Sequence, residues 1–358
     1  MIGPREGYRH SRSDKLVCDA DSTEDSLLAL ARTSRGLETI QVATPTPAAG
    51  EALVRVELVG LCRTDLAVAS GQLAVAPPRI LGHEMVGEVV EVGEGCRRFR
   101  GGETVSIDPV IPCRRCSRCQ EGWTHSCRDR RFLGVHQDGV LRELIALPEA
   151  NLWEMNRELD PRALAMLEPI AACAAVLKAP IVPSQRGMVL GADRLAVLTQ
   201  RVLAAHGFCD LVVKDPFANR DPAPVCPEFD FVIDTTGQPA GIGMALHWLR
   251  PRGCLVVKSR RPATIKLPLE EMVASEIHLE GVNYANFGDA RRLLQENQIE
   301  ITDLLGPIWS SSDSVDAFST ATNDPHIKHF LKPPCLVEDE CDRCIPEVAC
   351  VWNHRLHL

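Results

Sequence analysis

The sequence predicts an α/β protein in two parts: an antiparallel, β-rich unit followed by a doubly wound parallel sheet. Three observations carry this. From Glu38 onward short alternating segments recur between Gly-rich turns, as in Glu51–Val59, Gly87–Gly93 and Glu103–Ile107, and a period of two marks a half-buried strand. From Met188 the rhythm changes. Met188–Gly191, Leu211–Val213, Phe229–Asp234 and Cys254–Val257 are short apolar runs that alternate with helical stretches such as Gly241–Leu249, the signature of βαβ units. Finally, 358 residues with 45% hydrophobic and 24% charged content suffice for two separate cores.

The elements follow in order. Residues 1–34 read as a loosely docked N-terminal extension, with a helical turn at Glu24–Ala31. Residues 35–175 form the β-rich domain, which turns helical from Pro161 to Lys178. Residues 176–306 form the doubly wound domain, shortened after Asp215. Residues 307–333 return to mixed structure, and 334–358 are a Cys/His tail. There is no internal repeat.

Composition narrows the function. A net charge of −9 argues against nucleic acid, which needs clustered Lys and Arg; the run Arg97-Arg98-Phe99-Arg100 is short and reads as a solvated turn. No segment approaches the roughly 20 apolar residues of a membrane span. The start, Met1 to Glu6, lacks the apolar centre of a signal peptide. Fifteen cysteines are many, yet disulfide-rich secreted domains are normally far shorter. The expectation is a cytoplasmic protein with no membrane or nucleic-acid partner.

Cys113, Cys116, Cys119 and Cys127 lie within one polar loop, spaced C-x2-C-x2-C-x7-C. Four thiolates so placed suit a tetrahedral zinc ion; a disulfide pair is the alternative, disfavoured where thiols stay reduced. Four protein ligands leave no open position, so this zinc would be structural. A second set is dispersed: Cys62 in Gly60–Asp65, His83 in Gly82-His83-Glu84, and Glu168 in Leu167-Glu168-Pro169. Thiolate, imidazole and carboxylate supply three ligands and leave the fourth position for water or substrate, as catalytic zinc requires. Singly each residue is unremarkable: a lone Cys is more often core packing, and a helix carboxylate is usually solvated.

Together these motifs resemble the zinc-dependent medium-chain alcohol dehydrogenase superfamily from about Glu38 to Lys332. Phe229–Asp234 followed by Gly237, and Leu249-Arg250-Pro251-Arg252-Gly253, extend the likeness. The glutamate ligand is similar to the polyol and threonine dehydrogenase branch. The resemblance implies a GroES-like catalytic domain and a Rossmann-like nucleotide domain, two zinc ions per chain, and NAD(H). It implies that Cys62, His83 and Glu168 hold the catalytic zinc, that Thr64 relays the substrate proton, that Glu84 lies behind the zinc or exchanges onto it, and that Asp65 orients a ligand. It places Gly191, Ala192, Asp193, Asp215, Thr236 and Gly237 around the cofactor. A homodimer through the edge strand near Ile277–Val282 also follows from it.

The nucleotide half departs from the family pattern. Where G-x-G-x-x-G is expected, the chain has Gly191-Ala192-Asp193-Arg194-Leu195-Ala196. Asp193 replaces the glycine that lets backbone approach the diphosphate, with Arg194 expected to offset part of its charge. Asp215 stands at the distance of a ribose-binding acid, which would favour NAD over NADP, or is a turn residue before Pro216. A short Pro-rich stretch then replaces a helix and an edge strand. Two functions therefore stay open: an NAD(H)-dependent alcohol or polyol dehydrogenase, and a nicotinamide-independent zinc lyase, cyclase or hydrolase. A non-catalytic scaffold is a weaker third. Cys341, Cys344, Cys350, His354 and His357 could bind another metal, but no apolar frame surrounds them, so a metal-free tail is preferred.

Overall fold

A computed structural model describes residues 26–218, 228–259 and 264–335; the Cys/His cluster of the tail and most of the extension lie outside the described residues. The chain runs β1 (Ser26–Arg32), β2 (Leu37–Ala43), β3 (Glu51–Gly60), α1 (Arg63–Ala69), β4 (Arg79–Ile80), β5 (Met85–Val92), β6 (Thr104–Ile107) and β7 (Val110–Ile111). It continues with α2 (Ser117–Gln120), β8 (Arg131–Phe132), β9 (Leu144–Pro148), β10 (Leu152–Glu154), α3 (Pro161–Leu164) and α4 (Leu167–Ala174). Then follow β11 (Gly187–Leu190), α5 (Arg194–Ala205), β12 (Leu211–Lys214), β13 (Phe229–Asp234), α6 (Pro239–Trp248), β14 (Leu249–Val257), α7 (Leu269–Ala274), β15 (His278–Gly281) and α8 (Phe287–Gln295). The last elements are β16 (Leu305–Trp309), α9 (Ser314–Asn323) and β17 (Lys328–Leu331).

Of the helical turn expected at Glu24–Ala31, the described residues 26–31 are strand. β1 pairs along its whole length with β2, Ser26 opposite Ala43 and Arg32 opposite Leu37. Leu27, Ala29 and Ala31 are buried, and that cross-strand packing overrides the helix preference of Leu and Ala. Residues 26–32 of the expected extension belong to a sheet.

The β-rich part is built on a seven-stranded sheet in the order β10-β6-β5-β3-β17-β16, with β9 also on β3. The returning β17 runs antiparallel to β3, Phe330 opposite Gly60. This carries the end of the chain back to the loop that begins at Leu61. The second sheet is parallel, five-stranded, and ordered β12-β11-β13-β14-β15. Its inner strands bury both faces. Val189, Phe231, Ile233 and Val256 pack on one side, and Met188, Leu190, Val232 and Leu255 on the other, as side chains alternating along doubly covered strands must. β12 has no outer neighbour among the described residues.

α4 joins the two parts. Leu167, Ile170, Ala171 and Ala174 share one apolar cluster with Leu198 and Val202 of α5 and Leu293 and Leu294 of α8. At roughly 1.5–3 kcal/mol for each large aliphatic side chain fully buried, this seam fixes the helix that carries Glu168 against the helix that follows Gly191.

Candidate active site

The site forms where β3 ends and the chain turns into α1. Cys62 is the N-cap of α1, and its backbone N–H donates to Asp65 Oδ2 at 3.0 Å. The other oxygen, Asp65 Oδ1, accepts from Gly82 N at 3.0 Å and faces His83 Nδ1 at 3.1 Å. One buried carboxylate thus clamps both ligand-bearing loops. Asp65 fixes one ring nitrogen of His83 and leaves the other for a metal, the usual work of an outer carboxylate. Gly82 allows this turn: its φ is +89°, and a Cβ there would press on Leu141 and Val140. Phe132 packs on the imidazole with ring centres 4.9 Å apart.

Ligand atoms of Cys62, His83 and Glu84 lie within 4.8 Å of one another. Glu168 stands outside that close set. It is buried nearby, and Tyr284 donates its hydroxyl to Glu168 Oε1 at 2.5 Å. The carboxylate that the structure gathers with the Cys and His is therefore Glu84. Thr64 Oγ1 lies 4.0 Å from Cys62 Sγ.

Charge in the cluster is balanced by a residue the sequence reading passed over. Lys328 of β17 is buried and ion-paired with Glu84. Burial pushes the Glu84 carboxyl up to about 7, although Lys328 opposes it. Burial also opposes ionisation of Cys62, but the charge and hydrogen bond of His83, with Lys328, bring its thiol down to about 6. Glu168 is raised by burial and by the nearby Glu84 charge. His83 is raised well above its ordinary value: burial opposes the rise, and Asp65 and Cys62 overcome it. A site whose thiol is easily ionised and whose acids are costly to ionise without a cation is chemically suited to a divalent metal. Tyr284 and Arg63 were also missed. Lys328 left a faint signal, a lysine between Ile327 and the apolar pair Phe330-Leu331; Tyr284 left none.

The four-cysteine loop closes on itself. Cys116 Sγ lies 3.6 Å from Cys119 Sγ and 3.8 Å from Cys127 Sγ, and a tetrahedron with arms of about 2.3 Å has edges of about 3.8 Å. Amides of Cys113 and Cys116 point at the sulfurs of Cys127 and Cys113. The residues fit zinc.

The nucleotide half is arranged differently from expectation. Gly191 follows β11 with φ +151°, and a Cβ there would meet Thr235 Oγ1 at 2.1 Å. Thr236 and Gly237 are held in a turn by buried Asp234, whose carboxylate accepts from both of their amides. Asp215 sits just past β12 and accepts from Phe217 N at 2.9 Å, the contact of a turn residue. Asp193 caps α5, accepting from Leu195 N and Ala196 N at 3.0 and 3.3 Å. Arg194 does not offset its charge. The Arg194 guanidinium is buried and donates to the carbonyls of Pro325, Ile327 and Leu61. Arg63 takes that part instead, with Nη1 at 2.9 Å from Asp193 Oδ2.

Residues 48–157 match the alcohol dehydrogenase GroES-like domain. With the ligand geometry, this shows that the chain carries a GroES-like domain of the alcohol dehydrogenase type, and the chain is similar to polyol and threonine dehydrogenases. L-galactonate-5-dehydrogenase of Escherichia coli strain K12 is 29% identical over 283 residues, covering 71% of this chain and 83% of that enzyme. L-threonine 3-dehydrogenase of Pyrococcus abyssi is 31% identical over 198 residues, 54% of this chain; the match spans only 57% of that enzyme's length. A structure from Sinorhizobium meliloti 1021 with NADP bound superposes with a TM-score of 0.80 at 25% identity, covering 87% of this chain and 100% of that one. The GroES-like domain is joined here to a five-stranded, parallel, Rossmann-like domain. No helix among the described residues is long and apolar enough to cross a membrane.

Proposed function

We propose that the protein interconverts a small alcohol or polyol and the corresponding carbonyl with a nicotinamide cofactor, at a zinc ion held by Cys62, His83 and a carboxylate. The observation that carries this is the cluster of half-buried Cys62 with buried His83 and Glu84, clamped by Asp65 at the junction of the two domains. Glu84 is the carboxylate placed with the Cys and His, and Glu168 is the alternative once Tyr284 releases it. Bound there, zinc would polarise the substrate oxygen and lower an alcohol's pKa. The chain's own residues do the rest. Asp65 keeps His83 oriented, Lys328 offsets the Glu84 charge, and Thr64 offers a hydroxyl beside Cys62 to carry the substrate proton. A second zinc in the four-cysteine loop would hold that loop folded.

The test is turnover of polyols and L-threonine with NAD+ and NADP+ by zinc-loaded protein. Activity that a chelator removes and zinc restores supports the reading. Absence of turnover with any such alcohol and either cofactor contradicts it. One observation favours a second reading, nicotinamide-free zinc chemistry: the α5 N-terminus is already occupied by Asp193. We further assign the protein to the cytoplasm, where thiols stay reduced as four zinc-ligating cysteines require, and to a homodimer through β15, one of the two outer strands of the parallel sheet among the described residues.

A further inference from the structure

We propose that Asp193 is an internal anion seated where a dinucleotide's diphosphate would lie, and that with Arg63 it forms a latch between the domains which a cofactor must displace. The inference rests on the reading that this cleft takes a nicotinamide. In doubly wound domains the diphosphate lies on the N-terminus of the helix that follows the first strand, held by free backbone N–H groups. Here those donors are used. Arg194 N donates to Pro325 O at 3.2 Å, while Leu195 N and Ala196 N donate to Asp193 Oδ1. The remaining oxygen, Asp193 Oδ2, holds Arg63 Nη1 at 2.9 Å.

Arg63 directly follows Cys62 at the start of α1. The carboxylate therefore satisfies a helix end in one domain and a cation beside the candidate metal ligands in the other. Arg194 reinforces the same junction through Leu61 O, Pro325 O and Ile327 O. A diphosphate arriving here would meet a negative charge and find its amide donors taken. The bridge is breakable: the Arg63 side chain is 34% exposed and that of Asp193 18%, and partly solvated pairs are weak. If Asp193 turns outward, the amides and Arg63 are freed together, and these are groups that suit a diphosphate.

Titration of zinc-loaded, full-length protein with NADH, followed by nicotinamide fluorescence, tests this on wild type, Asp193→Asn and Asp193→Gly. Asparagine caps a helix as well as aspartate does, so Asp193→Asn keeps the cap and removes the charge, and it guards against a glycine variant that folds poorly. The latch predicts that Asp193→Gly binds NADH at least tenfold more tightly than wild type, with Asp193→Asn between them. Without NADH, both variants should melt at lower temperature than wild type. Low-micromolar binding by wild type that Asp193→Gly leaves unchanged or weakens would overturn the latch while leaving the dehydrogenase reading intact. Failure of all three proteins to bind NADH or NADPH at millimolar concentration would overturn both.

Discussion

Gly60 makes room for the ion pair at the heart of the site. A Cβ at this position would stand 2.7 Å from Glu84 Oε2 and 2.8 Å from Lys328 Cε, both parts of buried side chains with nowhere to move. Gly60→Ala is expected to lower stability by about 1–3 kcal/mol, as overpacking does, read as a fall in Tm. Lys328→Met probes the pair itself. Removing one partner of a buried pair costs about 3–5 kcal/mol when the other stays charged. Glu84 already has its carboxyl raised to about 7, and losing Lys328 raises it further. An acid raised in the fold destabilises the fold when ionised, so stability falls as pH climbs through that range and recovers below it. In chelated protein Lys328→Met should therefore be far more damaging at pH 8.5 than at pH 6. Equal losses at both values, by denaturant titration, would show that Glu84 is not the group left behind. At this scale the sequence was partly legible. Cys62 and His83 stand in short local motifs with Gly60 and Gly82 beside them, and their types alone suggest metal chemistry. Lys328, Tyr284 and Arg63 act through partners 244, 116 and 130 positions away. Such pairings exist only after the chain has folded.

The four-cysteine loop is a local element and was read directly from its spacing. Its thiols are unequal. The backbone amide of Cys119 helps bring Cys116 down to about 6, whereas burial and the sulfurs of Cys116 and Cys127 push Cys119 up to about 12. The loop without metal therefore retains protons at neutral pH that thiolate ligation must release. Adding zinc to chelated protein at pH 7 should liberate protons, measurable by calorimetry in buffers of different ionisation enthalpy; heats independent of the buffer would contradict this. Cys113→Ser should destabilise the whole fold, because structural zinc sites contribute folding energy outright. The strand Ser26–Arg32 shows the opposite case. Its Leu- and Ala-rich sequence suits a helix locally, and only its register against Leu37–Ala43 makes it a strand.

The whole molecule is organised by the return of the chain. β16 and β17 bring residues 305–331 back onto the first sheet, which places Lys328 behind Glu84 and the Pro325 and Ile327 carbonyls over the α5 N-terminus. The two-part architecture was legible because strand period and helix spacing are properties of the chain itself. The junction between the parts was not: Asp193 was legible as a disturbance, but its partner Arg63 was not. Assembly is the remaining question at this scale. Leu279 on β15 and Leu269 and Val273 on α7 are exposed, at 45%, 66% and 77%, an apolar edge suited to a second copy. Light scattering should give a dimer at micromolar concentration, and Leu279→Asp should shift it toward monomer; a monomeric wild type would remove this interface.

Two separate ligand sets predict two separate metal centres, and metal content measures this most directly. Protein purified without chelator should carry about two equivalents of zinc, and Cys62→Ser about one, with its fold and Tm nearly unchanged. Wild type holding fewer than about one and a half equivalents after zinc loading, or Cys62→Ser retaining two, would contradict the account.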